Sequence, residues 1–173
     1  MSWEITAGCF RVLSYKVNNN QQKPPREIER KFRVKRLPPG LEKFPREKIA
    51  QGYLVVGKGS HVRLRKRGDV CSLTYKRGPA RAREEREVAL TAEQFDTLWP
   101  ATKGRRLTKV RYEMPWNGWN IEIDVYRGIH DGLVVAEVEF PDEKSCAQFE
   151  PPDWMGTDVS GKRRYSNVAL ARE

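Results

Sequence analysis

The chain has 173 residues, enough for one domain with a short appendage, and its 38% hydrophobic content supports a core beside 32% charged residues. Lysine and arginine outnumber aspartate and glutamate by 33 to 23, a net charge of +10, which favours an anionic partner: nucleic acid, an acidic membrane surface or a phosphorylated small molecule. Three scattered cysteines without a CxxC argue against a disulfide framework or zinc site, two histidines leave no basis for a His-based metal cluster, and no apolar run reaches the length of a membrane span.

Residues 1–25 stand apart as an N-terminal extension. WEITAGCFRVLSYKV reads either as a short strand pair or as a disordered arm, and VNNNQQKPP as a flexible linker ending in two prolines. Glu4 and the lack of a long apolar stretch do not fit a signal peptide, so a cytoplasmic protein is expected. The folded domain is expected at 26–173.

That domain opens on EIERKF, which as a strand sends Glu27, Glu29 and Lys31 to one face and Ile28, Arg30 and Phe32 to the other. PREKIA, from Pro45, is expected to form a helical turn. GYLVVG, from Gly52, is a strand. In HVRLRKR, Arg63 and Arg65 oppose Val62 and Leu64; in SLTYKR, Thr74 and Lys76 oppose Leu73 and Tyr75; in EEREVAL, Glu85 and Glu87 oppose Val88 and Leu90. TAEQFDTLWPAT is a helix with Thr91 as N-cap, Gln94 as capping-box partner, Phe95, Leu98 and Trp99 on one face, and Pro100 at its end. In TKVRYEM, Lys109, Arg111 and Glu113 oppose Val110, Tyr112 and Met114. PWNGWN is a hairpin turn flanked by Trp116 and Trp119. In NIEIDVY, Glu122 and Asp124 oppose Ile121, Ile123 and Val125, and in VVAEVEF, Glu137 and Glu139 oppose Val138 and Phe140. PDEKSCAQF is a helix capped by Asp142 that buries Cys146 and Phe149, and YSNVALARE is a last short helix. About eight strands joined by short links suggest an antiparallel meander or barrel.

Alternation alone fits a two-layer domain with charged faces in water. The charges favour another arrangement, because they come as matched doublets of one sign: Glu27/Glu29, Glu85/Glu87, Glu122/Asp124 and Glu137/Glu139 against Arg63/Arg65 and Lys109/Arg111. If the sheet curls shut, these faces line a wet tunnel while helices cover the apolar faces outside, because unpaired ions cost several kcal/mol each to bury. Clustered carboxylates hold divalent cations and clustered Arg and Lys hold phosphate oxygens.

The motifs carry a resemblance. EIERKF resembles the ExExK signature of the CYTH superfamily, the triphosphate tunnel metalloenzymes. QGYL at 51–54, VRLR at 62–65, LTYK at 73–76, EREV at 85–88, KVRYE at 109–113, IEIDV at 121–125, AEVEF at 136–140 and RRYSN at 163–167 follow in the family's order. The resemblance covers essentially all of 26–173 and is closest to the short bacterial members that hydrolyse inorganic tripolyphosphate. It implies an α+β fold: an eight-stranded antiparallel barrel forming a charged tunnel, with helices outside and Mg²⁺ or Mn²⁺ held within. It makes Glu27, Glu29, Glu137 and Glu139 metal ligands, with Glu85 and Glu87 supporting a second metal or the nucleophilic water. It assigns the phosphate chain to Lys31, Arg63, Arg65, Lys76, Lys109 and Arg111, and pairs Tyr53 with Lys31 in catalysis. Where the family usually reads DKRY, this chain has Lys162-Arg163-Arg164-Tyr165, so the basic ligand there is Arg163 or Arg164, with Arg164 taken as the match.

Metal-dependent hydrolysis of tripolyphosphate to pyrophosphate and phosphate is therefore the expected function. Nucleoside or thiamine triphosphatase or adenylate cyclase activity would use the same site. A non-catalytic polyphosphate binder is the reading from another class; it gains nothing from so many acids beside the phosphate. Nucleic acid and membrane are disfavoured as partners, and a homodimer is left open. On general grounds Tyr53 is a packing residue, His61 and His130 are surface or turn residues, and Glu122 and Asp124 hold basic side chains rather than metal.

Overall fold

A computed structural model describes residues 28–78 and 84–172. Glu27 and the extension at 1–25 lie outside the described residues. The strands are β1 (Ile28–Val34), β2 (Arg46–Val56), β3 (Ser60–Arg67), β4 (Val70–Arg77), β5 (Glu84–Leu90), β6 (Arg106–Trp116), β7 (Trp119–Tyr126), β8 (Val134–Phe140) and β9 (Met155–Asp158); the α-helices are α1 (Ala92–Leu98), α2 (Glu143–Gln148) and α3 (Asn167–Leu170). They build one antiparallel sheet in the order β5-β4-β3-β2-β6-β7-β8-β1-β9. Two meanders, β2 to β5 and β6 to β8, meet along β2 and β6, and β1 adds to β8.

The apolar faces of this sheet point outward. Phe32, Met114, Ile121, Ile123, Val138 and Phe140 pack under Phe149, Trp154 and the Cys146 side of α2, while Leu64, Cys71, Leu54 and Leu73 pack under Phe95, Leu98 and Trp99. The charged faces therefore turn inward, as the matched doublets implied.

Local chemistry explains the helix ends. Thr91 and Gln94 close a reciprocal capping box at α1, and Asp142 accepts the Ser145 N–H at α2. The hairpin between β6 and β7 turns on Asn117 at φ 45° and Gly118 at φ 82°, the two successive positive angles of a type I′ turn.

The structure departs from the sequence reading in three places. PREKIA is not a helical turn. Arg46 to Ile49 pair with β6, and Ile49 also pairs with β3, so a helix there would forfeit ladder hydrogen bonds; the helical turn is the 3₁₀ segment Leu41–Lys43. Pro100 does not end the helical run: α1 stops at Leu98 and the chain continues as a 3₁₀ turn, Trp99–Thr102, whose first turn accepts a residue without an N–H. The sheet has nine strands among the described residues rather than eight, the ninth being β9 beside β1. Among the described residues no helix is long and apolar enough to cross a membrane.

Gly52, the middle residue of QGY, has a packing reason. A Cβ there would lie 2.6 Å from both Cβ and Oγ1 of Thr102, whose hydroxyl accepts from Arg106 Nε and donates to the Trp99 carbonyl. Gly52→Ala is expected to destabilise the fold by about 1–3 kcal/mol. Urea unfolding measures this, and an unchanged midpoint would refute the packing account.

Candidate active site

The inward faces surround a cavity of about 1410 Å³. Glu29 and Lys31 reach it from β1, Tyr53 from β2, Arg63, Arg65 and Arg67 from β3, Lys76 and Glu85 from β4 and β5, Arg111 and Glu122 from β6 and β7, and Glu137 and Glu139 from β8. Tyr53 also belongs to an apolar cluster in which Leu107, Tyr126 and Val135 meet Leu170 and Ala171 of the C-terminal segment. There the Tyr126 hydroxyl donates to Asn167 Oδ1 at 2.6 Å. Burial and the Asp124 charge push the Tyr126 phenol well up, so it remains a donor.

The most deeply buried part of the wall is an ion-pair network. Asp124, 0% exposed, takes Arg111 in a fork, Nε to Oδ1 at 2.7 Å and Nη2 to Oδ2 at 2.6 Å, and also pairs with Lys109. Arg111 Nη2 reaches Glu137 Oε2 at 3.1 Å, Nη1 pairs with Glu122, and Lys31 Nζ lies 2.6 Å from Glu137 Oε1. Three cations, Lys31, Lys109 and Arg111, thus meet three anions, Glu122, Asp124 and Glu137. Such compensation is what permits burial, since each isolated ion would cost several kcal/mol.

The pKa shifts follow this sharing. Burial works against the charge on Arg111, but its bonds to Asp124 and the fields of Asp124, Glu137 and Glu122 outweigh it and raise the pKa. Lys109 has the same carboxylate for a partner, yet burial, with Arg111 adding repulsion, prevails and lowers it. Lys31 is raised, because Glu137 and Glu29 outweigh its burial. Burial alone would raise Glu137; Lys31, Lys109 and Arg111 overcome it and hold the carboxyl from its ordinary 4.5 down to about 2. A depressed carboxylate stabilises the fold above its unfolded pKa and loses that stabilisation as pH falls through the folded one. Stability is therefore expected to decline from about pH 4.5 towards pH 2, and Glu137→Gln should flatten that decline; acid titration followed by circular dichroism tests it.

The part of the wall formed by β3 is different. Arg63 and Arg65 stand side by side on β3, and the Nε of each is buried without a hydrogen-bond partner. Arg63 Nη2 donates to Thr74 Oγ1 at 2.9 Å and stands 3.7 Å from Glu87, whose Oε2 accepts from Thr74 Oγ1 at 2.6 Å. Burial, then repulsion from Arg65, lowers Arg63 to about 10. Burial and Arg111 lower Arg65. This part of the cavity carries positive charge that its own neighbours do not fully offset, a setting in which polyanion oxygens relieve both desolvation and repulsion.

Lys31, Tyr53, Arg63, Arg65, Lys76 and Arg111 all line the cavity. Lys109 does not: it is 2% exposed and sits behind the wall against Asp124. Arg163 lines the cavity, whereas Arg164 lies with its guanidinium 4.9 Å over the Tyr165 ring. Lys76 Nζ is 2.5 Å from Glu85 Oε2. Of the five described glutamates assigned to metal, Glu29, Glu85, Glu137 and Glu139 line the cavity and Glu87 does not. Glu29 stands opposite Glu139 across the β1–β8 ladder and Glu137 opposite Lys31, while Glu85 and Glu87 belong to β5. Among the described residues no three His, Cys, Asp or Glu side chains form a ready metal cluster. The facing pair Glu29 and Glu139 still suits a hard divalent cation, which is commonly held by one or two carboxylates together with substrate phosphates and water.

Asp124 and Glu122 hold Arg111, as their reading as partners of basic residues anticipated. His61 is more than a surface residue: it lines the cavity, its ring edge-on to Tyr53 at 5.4 Å. Sequence reading passed over Gln51, a 0% exposed side chain two residues before Tyr53 and hence on the same face; that spacing was the available signal.

No protein-family model matches the chain. An inorganic triphosphatase of Nitrosomonas europaea is 42% identical over 149 residues, covering 84% of this chain and 96% of its own. An inorganic triphosphatase of Acetivibrio thermocellus is 35% identical over 155 residues, covering 85% and 94%. The crystal structure of the inorganic triphosphatase NE1496 superposes with a TM-score of 0.69 at 38% identity, covering 85% of this chain and 95% of that one. With identity at this level over most of both chains, the chain belongs to the inorganic triphosphatase family of the CYTH superfamily.

Proposed function

We propose that the chain hydrolyses inorganic tripolyphosphate to pyrophosphate and phosphate in this cavity, using Mg²⁺ or Mn²⁺, in the cytoplasm. The observation that carries the reading is the pair Arg63 and Arg65, two buried guanidiniums with unpartnered Nε atoms, in a cavity where Lys31 and Arg111 are already compensated by acids. They supply attraction for phosphate oxygens where the protein's own acids do not, and the family supplies the triphosphate.

Phosphoryl transfer asks little covalent chemistry of a protein; it asks for position and for neutralised charge. Arg63 and Arg65 take the phosphate oxygens. Arg111, aimed by its fork to Asp124, adds a third guanidinium with no freedom to swing away. Lys31, its pKa raised beside Glu137, enters as a cation at neutral pH. Lys76 extends the basic side, with Glu85 setting its position. Tyr53 presents a hydroxyl to place water or a phosphate oxygen. Lys109 acts from behind the wall, on Asp124 rather than on the substrate. Glu29 and Glu139 would hold the divalent cation, with Glu27 two residues before Glu29 in the sequence; the cation would supply charge neutralisation for the phosphate oxygens.

The substrate is tested by comparing kcat/KM for tripolyphosphate, ATP and thiamine triphosphate with Mg²⁺ or Mn²⁺. Tripolyphosphate is expected to lead. Preference for ATP or thiamine triphosphate would move the function to another triphosphate in the same site. Tight binding of tripolyphosphate without turnover would leave only a binder.

A further inference from the structure

The geometry points to Gln51 as a positioning residue that holds the Tyr53 hydroxyl for the reaction, an inference that rests on the functional reading above. Gln51 is 0% exposed, and its Nε2 donates to the Tyr53 hydroxyl oxygen at 3.1 Å. Because the amide donates, the hydroxyl's own proton is directed to an acceptor other than Gln51. Tyr53 lines the cavity and pairs in register with Arg63, so that hydroxyl is held on the basic side where phosphate oxygens are expected.

The second observation is a cost. Gln51 Oε1 is buried without a hydrogen-bond partner. Across the ladder stands Arg65, whose Nε is equally buried and unpartnered, yet the amide is committed to Tyr53 instead. A buried acceptor left unpaired destabilises a fold, and an apolar side chain of the same shape would remove the penalty. A glutamine with half its amide unsatisfied is therefore poorly explained as packing. It is explained by the half that is satisfied, the bond to a hydroxyl in the cavity. The neighbouring Gly52, pressed against Thr102, leaves the strand little room to move between the two side chains.

The test is a double-mutant cycle on tripolyphosphate hydrolysis with Gln51→Met, Tyr53→Phe and both together, with thermal unfolding of each protein. Gln51→Met is expected to lower kcat on the order of tenfold to a hundredfold with KM unchanged, to unfold at or above the wild-type temperature, and to have no further effect once Tyr53 is phenylalanine. Gln51→Leu covers the case in which the methionine variant does not fold. Wild-type kcat in the Gln51 variants, a rise in KM alone, or an equal loss in both Tyr53 backgrounds would overturn this inference and leave the functional reading standing. A wild-type protein that releases no phosphate would overturn both.

Discussion

Arg65→Ala is expected to lower kcat/KM for tripolyphosphate on the order of 10²–10³-fold while leaving the protein at least as stable as wild type. The two halves have one cause. Arg65 keeps its charge against burial and against Arg111, and its Nε has no acceptor. Its charged form is therefore held at a cost in the free protein, and removing it relieves that cost. In the reaction the same charge faces phosphate oxygens whose charge must be stabilised, and a preorganised donor serves that without reorganisation. Activity and stability should move in opposite directions. Arg63→Ala is expected to follow the same pattern less cleanly, because Arg63 also anchors Thr74. A variant that loses stability and activity together would indicate a structural arginine and refute the assignment. Steady-state kinetics and urea unfolding of the same preparations decide the matter.

Asp124→Ala should do the reverse, and the loss should be large: about 3–5 kcal/mol of folding free energy. Asp124 compensates two cations at once, Arg111 through a two-point fork and Lys109 behind the wall, and the carboxylate itself is 0% exposed. Taking it away leaves Lys109 buried beside Arg111 with only repulsion between them, where burial already lowers the lysine's proton affinity. Asp124→Asn keeps the shape and an acceptor, so it should cost less stability, yet it should still lower activity by loosening the aim of Arg111. A shift in the urea midpoint corresponding to under 1 kcal/mol for the alanine variant would contradict the account of the network.

The inward turn of the charged faces was legible in the sequence because it rests on period-two alternation and on doublets of like sign, which survive translation into any strand register. Depth within the wall was not. Lys109 and Arg111 alternate alike and occupy one face, yet only Arg111 reaches the cavity; the difference comes from Asp124 on the neighbouring strand and from the apolar packing around Tyr126. Arg163 and Arg164 differ for a similar reason, since the 3₁₀ turn at Arg163–Tyr165 stacks one on Tyr165 and sends the other inward, and no sequence period describes such a turn. The strand β9 is four residues, MGTD, too short to show alternation. Its glycine is required by position: a Cβ at Gly156 would lie 2.4 Å from the Arg33 carbonyl oxygen. PREKIA misled because its charged residues suit a helix end locally, while its ladder partners Tyr112, Arg111 and Arg67 are far away in sequence. Tertiary pairing overrode local preference there.

The measurement that bears most directly on the central claim is the product stoichiometry from tripolyphosphate, with Mg²⁺ or Mn²⁺ and then with EDTA, for wild type and Glu29→Gln. The account predicts one pyrophosphate for each phosphate released by the wild-type protein, and turnover abolished both by EDTA and by the loss of the Glu29 carboxylate facing Glu139. Equal phosphate release by wild type and Glu29→Gln, undiminished by EDTA, would contradict it.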